Sequence, residues 1–162
     1  MRLVLASIAA LAFLQSSSTH PAPAGSVNTT HLTAATSAEP FTSAAATRLF
    51  IDITPKPKMH VYAPGETDGI PIEIRLDANP AIKAGKPVFP PPQKYFFPPL
   101  KLTQLVYSSP FRITLPITIV PKPPTGSLTI TGTLHYQACD DAVCYVPKAV
   151  AVKWMLKNGN QQ

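Results

Sequence analysis

The stretch SLTITGTLHY, residues 127–136, decides the fold class. Its apolar residues Leu128, Ile130, Leu134 and Tyr136 alternate with polar residues, so the two kinds of side chain fall on opposite faces. Successive side chains of a β-strand point to opposite sides, and a period of two is typical of a strand with one buried face. The stretch therefore predicts a half-buried β-strand.

The same alternation recurs along the chain. It is found in RLFIDI (48–53), IPIEIRL (70–76), FRITLPITI (111–119) and AVAVKWML (149–156). Two shorter segments, MHVYA (59–63) and TQLVYS (103–108), bring the total to about seven strands separated by turn residues. Strands of this number and length are typical of an immunoglobulin-like antiparallel β-sandwich, which is the fold we predict.

Proline restricts the remaining choices. The chain has 20 prolines in 162 residues, about twice the usual share. Each proline removes a backbone donor and clashes with a preceding helical turn, so little room is left for an interior helix. Pro116 lies inside one of the predicted strands and indicates an edge strand or a β-bulge there.

The segment GKPVFPPPQKYFFPPL, residues 85–100, does not fit a strand pattern. Its prolines predict a stiff, extended loop that presents three neighbouring aromatic rings. These rings, Tyr95, Phe96 and Phe97, either seal one end of the core or cover a functional site.

The amino terminus predicts export. Met1 and Arg2 lead into the apolar run LVLASIAALAFL, which is too short for a bilayer that needs roughly 20 residues. We therefore interpret residues 1–24 as a secretory signal peptide cleaved after the small residues 22–24, although an earlier cut near Ser18 fits equally well. The mature chain is expected to be soluble, periplasmic and not inserted in a membrane.

The remaining boundaries follow from composition. Residues 25–45 are rich in Ser, Thr and Ala and poor in large apolar side chains, which predicts a flexible leader. The β-sandwich domain is then expected at residues 46–158 and a short tail at 159–162. The formal net charge is +6, but the lysines are scattered rather than massed in a stripe, so we expect no nucleic-acid partner.

Both cysteines of the chain, Cys139 and Cys144, lie in QACDDAVCYVP, residues 137–147. As a structural disulfide they would close a short loop, which removes about 2 kcal/mol of denatured-state freedom against nearly 5 kcal/mol for a loop of roughly 100 residues. As a metal site they lack ligands, because His135 would lie more than about 10 Å away along an extended strand. Met59 and His60 remain as remote partners for copper(I).

Redox exchange is the third use of the pair. It requires two thiols that can reach each other on an exposed loop, with a reactivity that their neighbours set. Asp140 and Asp141 lie between the cysteines and disfavour a thiolate, because a like charge raises the pKa of a thiol. A strong oxidant is therefore not expected, whereas a protected pair that reacts with a suitable partner is compatible with the sequence.

A resemblance bears on this choice. LHYQACDDAVCYVP (134–147) followed by AVAVKW (149–154) resembles the N-terminal periplasmic domain of the thiol:disulfide interchange protein DsbD, in which a YQxC...CYPP-like stretch precedes a closing strand. KPKMHVYAP (56–64) and LVYSSPFRITLPITI (105–119) resemble further strands of that family. Compared with the family pattern, one residue fewer separates the cysteines and CYVP replaces CYPP.

The resemblance implies a β-sandwich that passes reducing equivalents between a membrane-embedded electron carrier and periplasmic thioredoxin-fold proteins, including those of cytochrome c biogenesis. It implies direct thiol–disulfide exchange without a cofactor or metal, in which Cys144 forms the mixed disulfide and Cys139 resolves it. Since the printed chain ends at Gln162, the carrier is expected to be a separate protein. If the chain is an enzyme, it is a component of a protein-disulfide reductase.

The resemblance also predicts the surroundings of the cysteines. His60 and Tyr62 are two residues apart, hence on one face of a strand, and match family positions that carry aromatic residues beside the site. A cap loop shields the cysteines in the family. The expected site-lining residues are His60, Tyr62, Asp140, Asp141 and Tyr145, and the expected cap is Tyr95, Phe96 and Phe97. The alternatives are a non-catalytic interaction module with a structural disulfide and a copper-handling protein.

Overall fold

The structure, a computed structural model, describes residues 25–121 and 126–159, which form β-strands and no helix. The expected all-β class is therefore confirmed. None of these described residues belongs to a helix that could cross a membrane. The predicted signal peptide, residues 1–24, and residues 160–162 of the predicted tail lie outside the described ranges.

The strands, in chain order, are β1 (Gly25–Asn28), β2 (Leu32–Ala38), β3 (Ala46–Pro55), β4 (His60–Tyr62), β5 (Glu73–Leu76), β6 (Ile82–Ala84), β7 (Gln93–Phe97), β8 (Leu102–Tyr107), β9 (Phe111–Ile119), β10 (Leu128–Tyr136), β11 (Ala138–Cys139) and β12 (Lys148–Leu156). They make a five-stranded sheet β1-β2-β3-β9-β6, a three-stranded sheet β12-β10-β5 and a four-stranded sheet β11-β4-β8-β7. The neighbouring strands in these three sheets are antiparallel to each other.

The core lies between the five-stranded and the three-stranded sheets. The apolar faces of β2, β3, β9, β10 and β12 contribute to one buried cluster, as the alternation in the sequence predicts. Trp154 of β12 is fully buried and donates its Nε1–H to the backbone oxygen of Phe50 in β3 at 2.8 Å. This bond satisfies the indole nitrogen and links the two layers.

Residues 25–45 do not form the predicted flexible leader. β1 and β2 belong to the five-stranded sheet, and β2 pairs with β1 on one side and β3 on the other. Leu32 and Ala34 are buried, and Thr36 donates its hydroxyl to the backbone oxygen of Lys153 at 2.6 Å. The prediction was wrong because it considered only the number of large apolar side chains. The backbone hydrogen bonds of β2 with β1 and β3, together with the packing of its small side chains close to β12, offset the conformational entropy lost when this segment becomes ordered.

The prediction that residues 85–100 contain no strand is also wrong. Residues 93–97 form β7, an edge strand that pairs with β8 from Gln93↔Val106 to Phe97↔Leu102. The prolines lie on either side of these five residues and not within them, so every backbone donor needed for the ladder is present.

The interruption expected at Pro116 is a bulge-like break in the ladder. β6 pairs with β9 up to Ala84↔Ile117, and pairing resumes at a single bridge between Val88 and Thr114. Gly85 donates its N–H to the oxygen of Pro116 at 2.8 Å, and a Cβ on Gly85 would lie 3.0 Å from that oxygen. The extra residue on the β6 side thus accommodates a proline that has no N–H to donate.

Candidate functional site

The two cysteines form a disulfide at one end of the four-stranded sheet. Cys139 is the last residue of β11 and is 0% exposed, whereas Cys144 lies on the exposed part of the following loop. A short hairpin holds them together, in which Tyr145 donates its backbone N–H to the oxygen of Ala138 at 2.8 Å. One sulfur therefore belongs to a buried residue and the other to a residue that faces solvent.

The Asp140 carboxylate organises this hairpin. Its Oδ1 accepts the backbone N–H groups of Ala142 and Val143, both at 2.8 Å, and its Oδ2 accepts the hydroxyl of Tyr145 at 2.7 Å. The hydrogen bond from Tyr145, together with the two N–H groups, lowers the pKa of Asp140 to about 2. Asp140 is therefore a carboxylate throughout the physiological range, with acceptor sites that are already in use.

The hydroxyl of Tyr62 lies at the disulfide. It is 3.1 Å from Sγ of Cys144 and 3.2 Å from Sγ of Cys139. Because the sulfurs of a disulfide carry no hydrogen, Tyr62 is the donor, and its oxygen accepts a hydrogen bond from Nε2 of the buried Gln104 at 3.1 Å. Burial raises the pKa of Tyr62, so the group presented to the sulfurs is a protonated phenol.

Gly69 holds the other side of the Tyr62 ring. A Cβ placed on Gly69 would lie 2.0 Å from Cε2 of Tyr62, a distance that no side chain permits. Only glycine therefore allows the backbone to pack directly against this ring.

The loop that bears Gly69 is attached to β8 by Glu66, whose carboxylate accepts the N–H groups of Thr67, Asp68 and Leu105. Burial alone would raise the pKa of Glu66, but these three donors bring it below its usual value.

His60 lies directly opposite Cys139 in the β11–β4 ladder. Side chains of opposite residues share a face of the sheet, with Cβ atoms about 4.5–5.5 Å apart. The imidazole is only 2% exposed, and its Nε2 has no hydrogen-bond partner. Burial lowers the pKa of His60, although the negative charges of Asp141 and Asp140 act in the opposite direction.

Of the three predicted cap residues, Tyr95 lies over the site. Its ring packs against His60 with centroids 4.6 Å apart, and its hydroxyl donates to Oδ1 of Asp141 at 2.8 Å. This hydrogen bond is the main reason that the pKa of Tyr95 is raised. Phe96 points to the opposite face of β7 and is 58% exposed, while Phe97 is buried.

The structure thus brings together eight predicted residues: Cys139, Cys144, His60, Tyr62, Asp140, Asp141, Tyr145 and Tyr95. Three further residues at the site were not predicted. Gln104 and Gly69 act through Tyr62, and His31 packs against Tyr145 with ring centroids 4.6 Å apart. A polar residue within the apolar pattern of TQLVYS was the available signal for Gln104.

Within residues 25–121 and 126–159, no group of three or more histidine, cysteine or acidic side chains is arranged to hold a metal ion. The two sulfurs are engaged with each other and with the Tyr62 hydroxyl. The geometry describes a shielded disulfide with one accessible side.

Comparison with protein families gives a match to "Thiol:disulfide interchange protein DsbD, N-terminal" over residues 29–155. The chain belongs to this family. The matched region begins within the segment before β2, which agrees with the inclusion of β2 in the domain. The predicted immunoglobulin-like β-sandwich is confirmed as the fold of a DsbD N-terminal domain.

Two solved structures are similar to this DsbD-type domain. The N-terminal periplasmic domain of ScsB from Proteus mirabilis is 14% identical, with a TM-score of 0.59, over 83% of this chain and 51% of that one. The chain therefore spans about half the length of the ScsB structure, and the likeness concerns the fold. The Neisseria meningitidis DsbD N-terminal domain in the reduced form is 20% identical, with a TM-score of 0.40, over 68% of this chain and 78% of that one. None of the curated protein sequences matches the chain.

Proposed function

We propose that the chain is a periplasmic thiol–disulfide exchange protein that passes reducing equivalents to or from thioredoxin-fold partners through Cys139 and Cys144. The observation that carries this proposal is the unequal placement of the two cysteines around one hydroxyl. Cys144 is exposed, Cys139 is fully buried, and Tyr62 donates toward both sulfurs. Such an arrangement offers one sulfur to a partner and retains the other inside the protein.

Exchange proceeds by attack of a partner thiolate on Sγ of Cys144. The new sulfur–sulfur bond joins the partner to Cys144, the Cys139–Cys144 bond breaks, and its electron pair remains on Sγ of Cys139. The Tyr62 hydroxyl is placed to donate a hydrogen bond to this leaving thiolate, because it already lies 3.2 Å from the sulfur. A second partner thiol then releases the oxidised partner and leaves both cysteines reduced.

The reverse sequence transfers electrons from the chain to a disulfide partner. Cys144 attacks the partner disulfide, and Cys139 then attacks Sγ of Cys144 and expels the partner as a dithiol. Both directions pass through the same mixed disulfide between the partner and Cys144, so the geometry supports exchange without fixing its direction. A membrane electron carrier and an exported location complete the proposal, in accord with membership of the DsbD family.

The surroundings of the pair support a protected exchange site. Tyr95 covers the cluster formed by Tyr62, Val106 and Cys139, and the Asp140 carboxylate holds the hairpin. Nearby carboxylates disfavour a free thiolate electrostatically. Cys139 is therefore shielded beneath Tyr95, whereas the exposed Cys144 is open to a protein partner.

The test uses Cys139→Ser and Cys144→Ser as a matched pair, each incubated with a disulfide-linked thioredoxin-fold protein. Cys139→Ser is expected to accumulate a mixed disulfide through Cys144, visible on a non-reducing gel and by mass spectrometry. Cys144→Ser should give little adduct, because its remaining thiol is buried.

The competing possibility, an interaction module with a structural disulfide, predicts something different. In that case neither variant captures a partner, and the wild-type disulfide resists a thioredoxin-like reductant until the fold is melted. That result would overturn the proposal.

A further inference from the structure

A buried imidazole without a hydrogen-bond partner sits beside the buried cysteine. Buried polar atoms are nearly always satisfied in folded proteins, so an exception calls for an explanation. Nε2 of His60 has no partner, although the residue lies opposite Cys139 and beneath the ring of Tyr95. Because Nε2 has no partner, it is available to accept a proton from a neighbouring group.

The exchange chemistry creates such a proton at Cys139. When Cys139 resolves a mixed disulfide it must act as a thiolate, because the thiolate and not the thiol is the nucleophile. Burial and the adjacent carboxylates oppose spontaneous ionisation of this thiol. A base close to Cys139 is therefore required for efficient resolution.

Three of the other ionisable groups nearby are poor bases. Asp140 has a pKa of about 2, and its carboxylate already accepts three hydrogen bonds. Burial raises the pKa of Tyr62, which keeps it a hydrogen-bond donor. Glu66 is occupied by three backbone N–H groups.

We infer that His60 is the general base that removes the proton from Cys139 during resolution of the mixed disulfide. The inference rests on the proposed function and specifies how its buried sulfur becomes reactive. It concerns the imidazole itself, because a phenol or phenyl ring at the same position could shield the site but could not accept this proton near neutral pH.

Neutral His60 takes the proton of the Cys139 thiol, which leaves a thiolate and an imidazolium. The thiolate attacks Sγ of Cys144, the bond from Cys144 to the partner breaks, and the partner leaves as a thiolate that takes up a proton. The Cys139–Cys144 disulfide forms, the partner disulfide has gained two electrons, and His60 returns its proton to solvent or to the partner.

The groups that face His60 fit this role. They are Tyr62 from β4, Tyr95 from β7, and Cys139, Asp140 and Asp141 from β11 and the loop that follows. Burial keeps the resting imidazole neutral and ready to accept a proton, while the two carboxylates stabilise the imidazolium formed in the step. The Tyr62 hydroxyl provides a hydrogen bond to the thiolate in the same step.

The experiment follows the reduced, full-length protein with one equivalent of 5,5'-dithiobis(2-nitrobenzoate). Attack by Cys144 releases one coloured thiolate, and attack by Cys139 on the resulting mixed disulfide releases the second. In His60→Phe the first phase should be unchanged, and the second should be slower by about 100-fold or more at neutral pH, the usual contribution of a general base. His60→Gln retains a polar side chain without this basicity and should be slow in the same way.

The pH profile separates a base from a merely structural residue. In the wild type the second phase should fall as the pH drops through the lowered pKa of His60, because protonation removes the base, and should level off above it. In both variants it should rise steadily with pH through the thiol range. His135→Phe removes an imidazole that lies opposite Glu73 in the three-stranded sheet and should behave as the wild type.

Equal second-phase rates and profiles in the wild type and both His60 variants would overturn the inference. A variant that fails to fold is recognised by an altered first phase, and His60→Gln then carries the test. Failure of the proposed function has a separate signature, since Cys139→Ser would then capture no thioredoxin-fold partner whatever the behaviour of His60.

Discussion

The sandwich core and the four-stranded sheet bury side chains for different purposes. Between the five-stranded and the three-stranded sheets the buried residues are mainly aliphatic, and the indole of Trp154 has its hydrogen bond. In the sheet β11-β4-β8-β7 the buried set includes His60, Gln104 and Tyr62, and two of these retain a polar atom without a partner. Burial in the sandwich core stabilises the fold. Burial in the four-stranded sheet costs some of that stability, because it leaves polar atoms without partners while it holds the groups around the cysteines in place.

Breaking the core should give the largest effect on stability. Trp154→Ala removes a fully buried indole and its bond to Phe50, which should lower the free energy of unfolding by about 3–5 kcal/mol. Urea unfolding of the oxidised protein, followed by far-ultraviolet circular dichroism, measures this loss. Met155→Ala changes the neighbouring exposed residue and should cost under about 0.5 kcal/mol.

The rate at which a thioredoxin-like reductant opens the disulfide of folded Trp154→Ala should equal the wild-type rate. A large change in that rate would show that the core and the four-stranded sheet are energetically coupled and do not act separately.

A smaller loss of stability, joined to a loss of reactivity, is expected at the contact between Gly69 and Tyr62. Gly69→Ala places a Cβ where the ring now lies, which should cost about 1–3 kcal/mol as the ring is displaced. Loss of the hydrogen bond to the leaving thiolate, about 1.5 kcal/mol, should also slow reduction of the disulfide about tenfold.

Tyr62→Phe distinguishes the hydroxyl from the packing, since it should slow reduction to the same degree without moving the ring. Gly159→Ala is the matched control, because a Cβ there meets only ordinary contacts at 3.6 Å or more. If Gly69→Ala reacts slowly while Tyr62→Phe reacts at the wild-type rate, the glycine acts by another route.

The smallest effect concerns acid stability of the cysteine hairpin. The pKa of Asp140 is about 2 in the folded chain, against an ordinary value of 3.8, chiefly because of Tyr145. A lowered carboxyl pKa adds stability above the unfolded pKa, and this contribution is lost as the pH falls from about 4 to about 2. Urea midpoints measured over that range should fall less steeply in Asp140→Asn than in the wild type.

Tyr145→Phe tests the cause of the lowered pKa, because it removes the hydrogen bond that contributes most to it and retains the carboxylate of Asp140. Its dependence on pH should lie between those of the wild type and Asp140→Asn. A slope identical to that of the wild type would show that the two backbone N–H groups hold the carboxylate without help from Tyr145.

The sequence contained most of the sandwich, since alternating apolar residues determine which face of each strand is buried. FRITLPITI and SLTITGTLHY become β9 and β10, with the expected side chains in the core. Strands without that signal were missed. β2 is built of small residues whose burial depends on the distance to β12, and β7 owes its existence to a ladder with β8, neither of which a local pattern reveals.

At the site, the residue types near the cysteines were predictable because they lie next to Cys139 and Cys144 in the chain or match a family motif. Gln104 and Gly69 were not, since each contributes through contact with Tyr62 across the sheet. The cap illustrates the same limit. The sequence predicted a cap made of Tyr95, Phe96 and Phe97 without distinguishing among them. The pairing of β7 with β8 determines that Tyr95 faces His60 and that Phe96 faces solvent.

Because Tyr95 is carried by a paired strand, uncovering the disulfide does not require a loop to swing away. Its backbone is fixed by the β7–β8 ladder, and its hydroxyl is held at a partly exposed position by Asp141. Rotation of a partly exposed side chain takes place in picoseconds to nanoseconds, far faster than the microseconds to milliseconds of collective rearrangements. Exposure of the buried Cys139 side of the disulfide is then governed by the fraction of time that the ring of Tyr95 spends turned outward, and a group that competes for the Asp141 carboxylate lengthens that time.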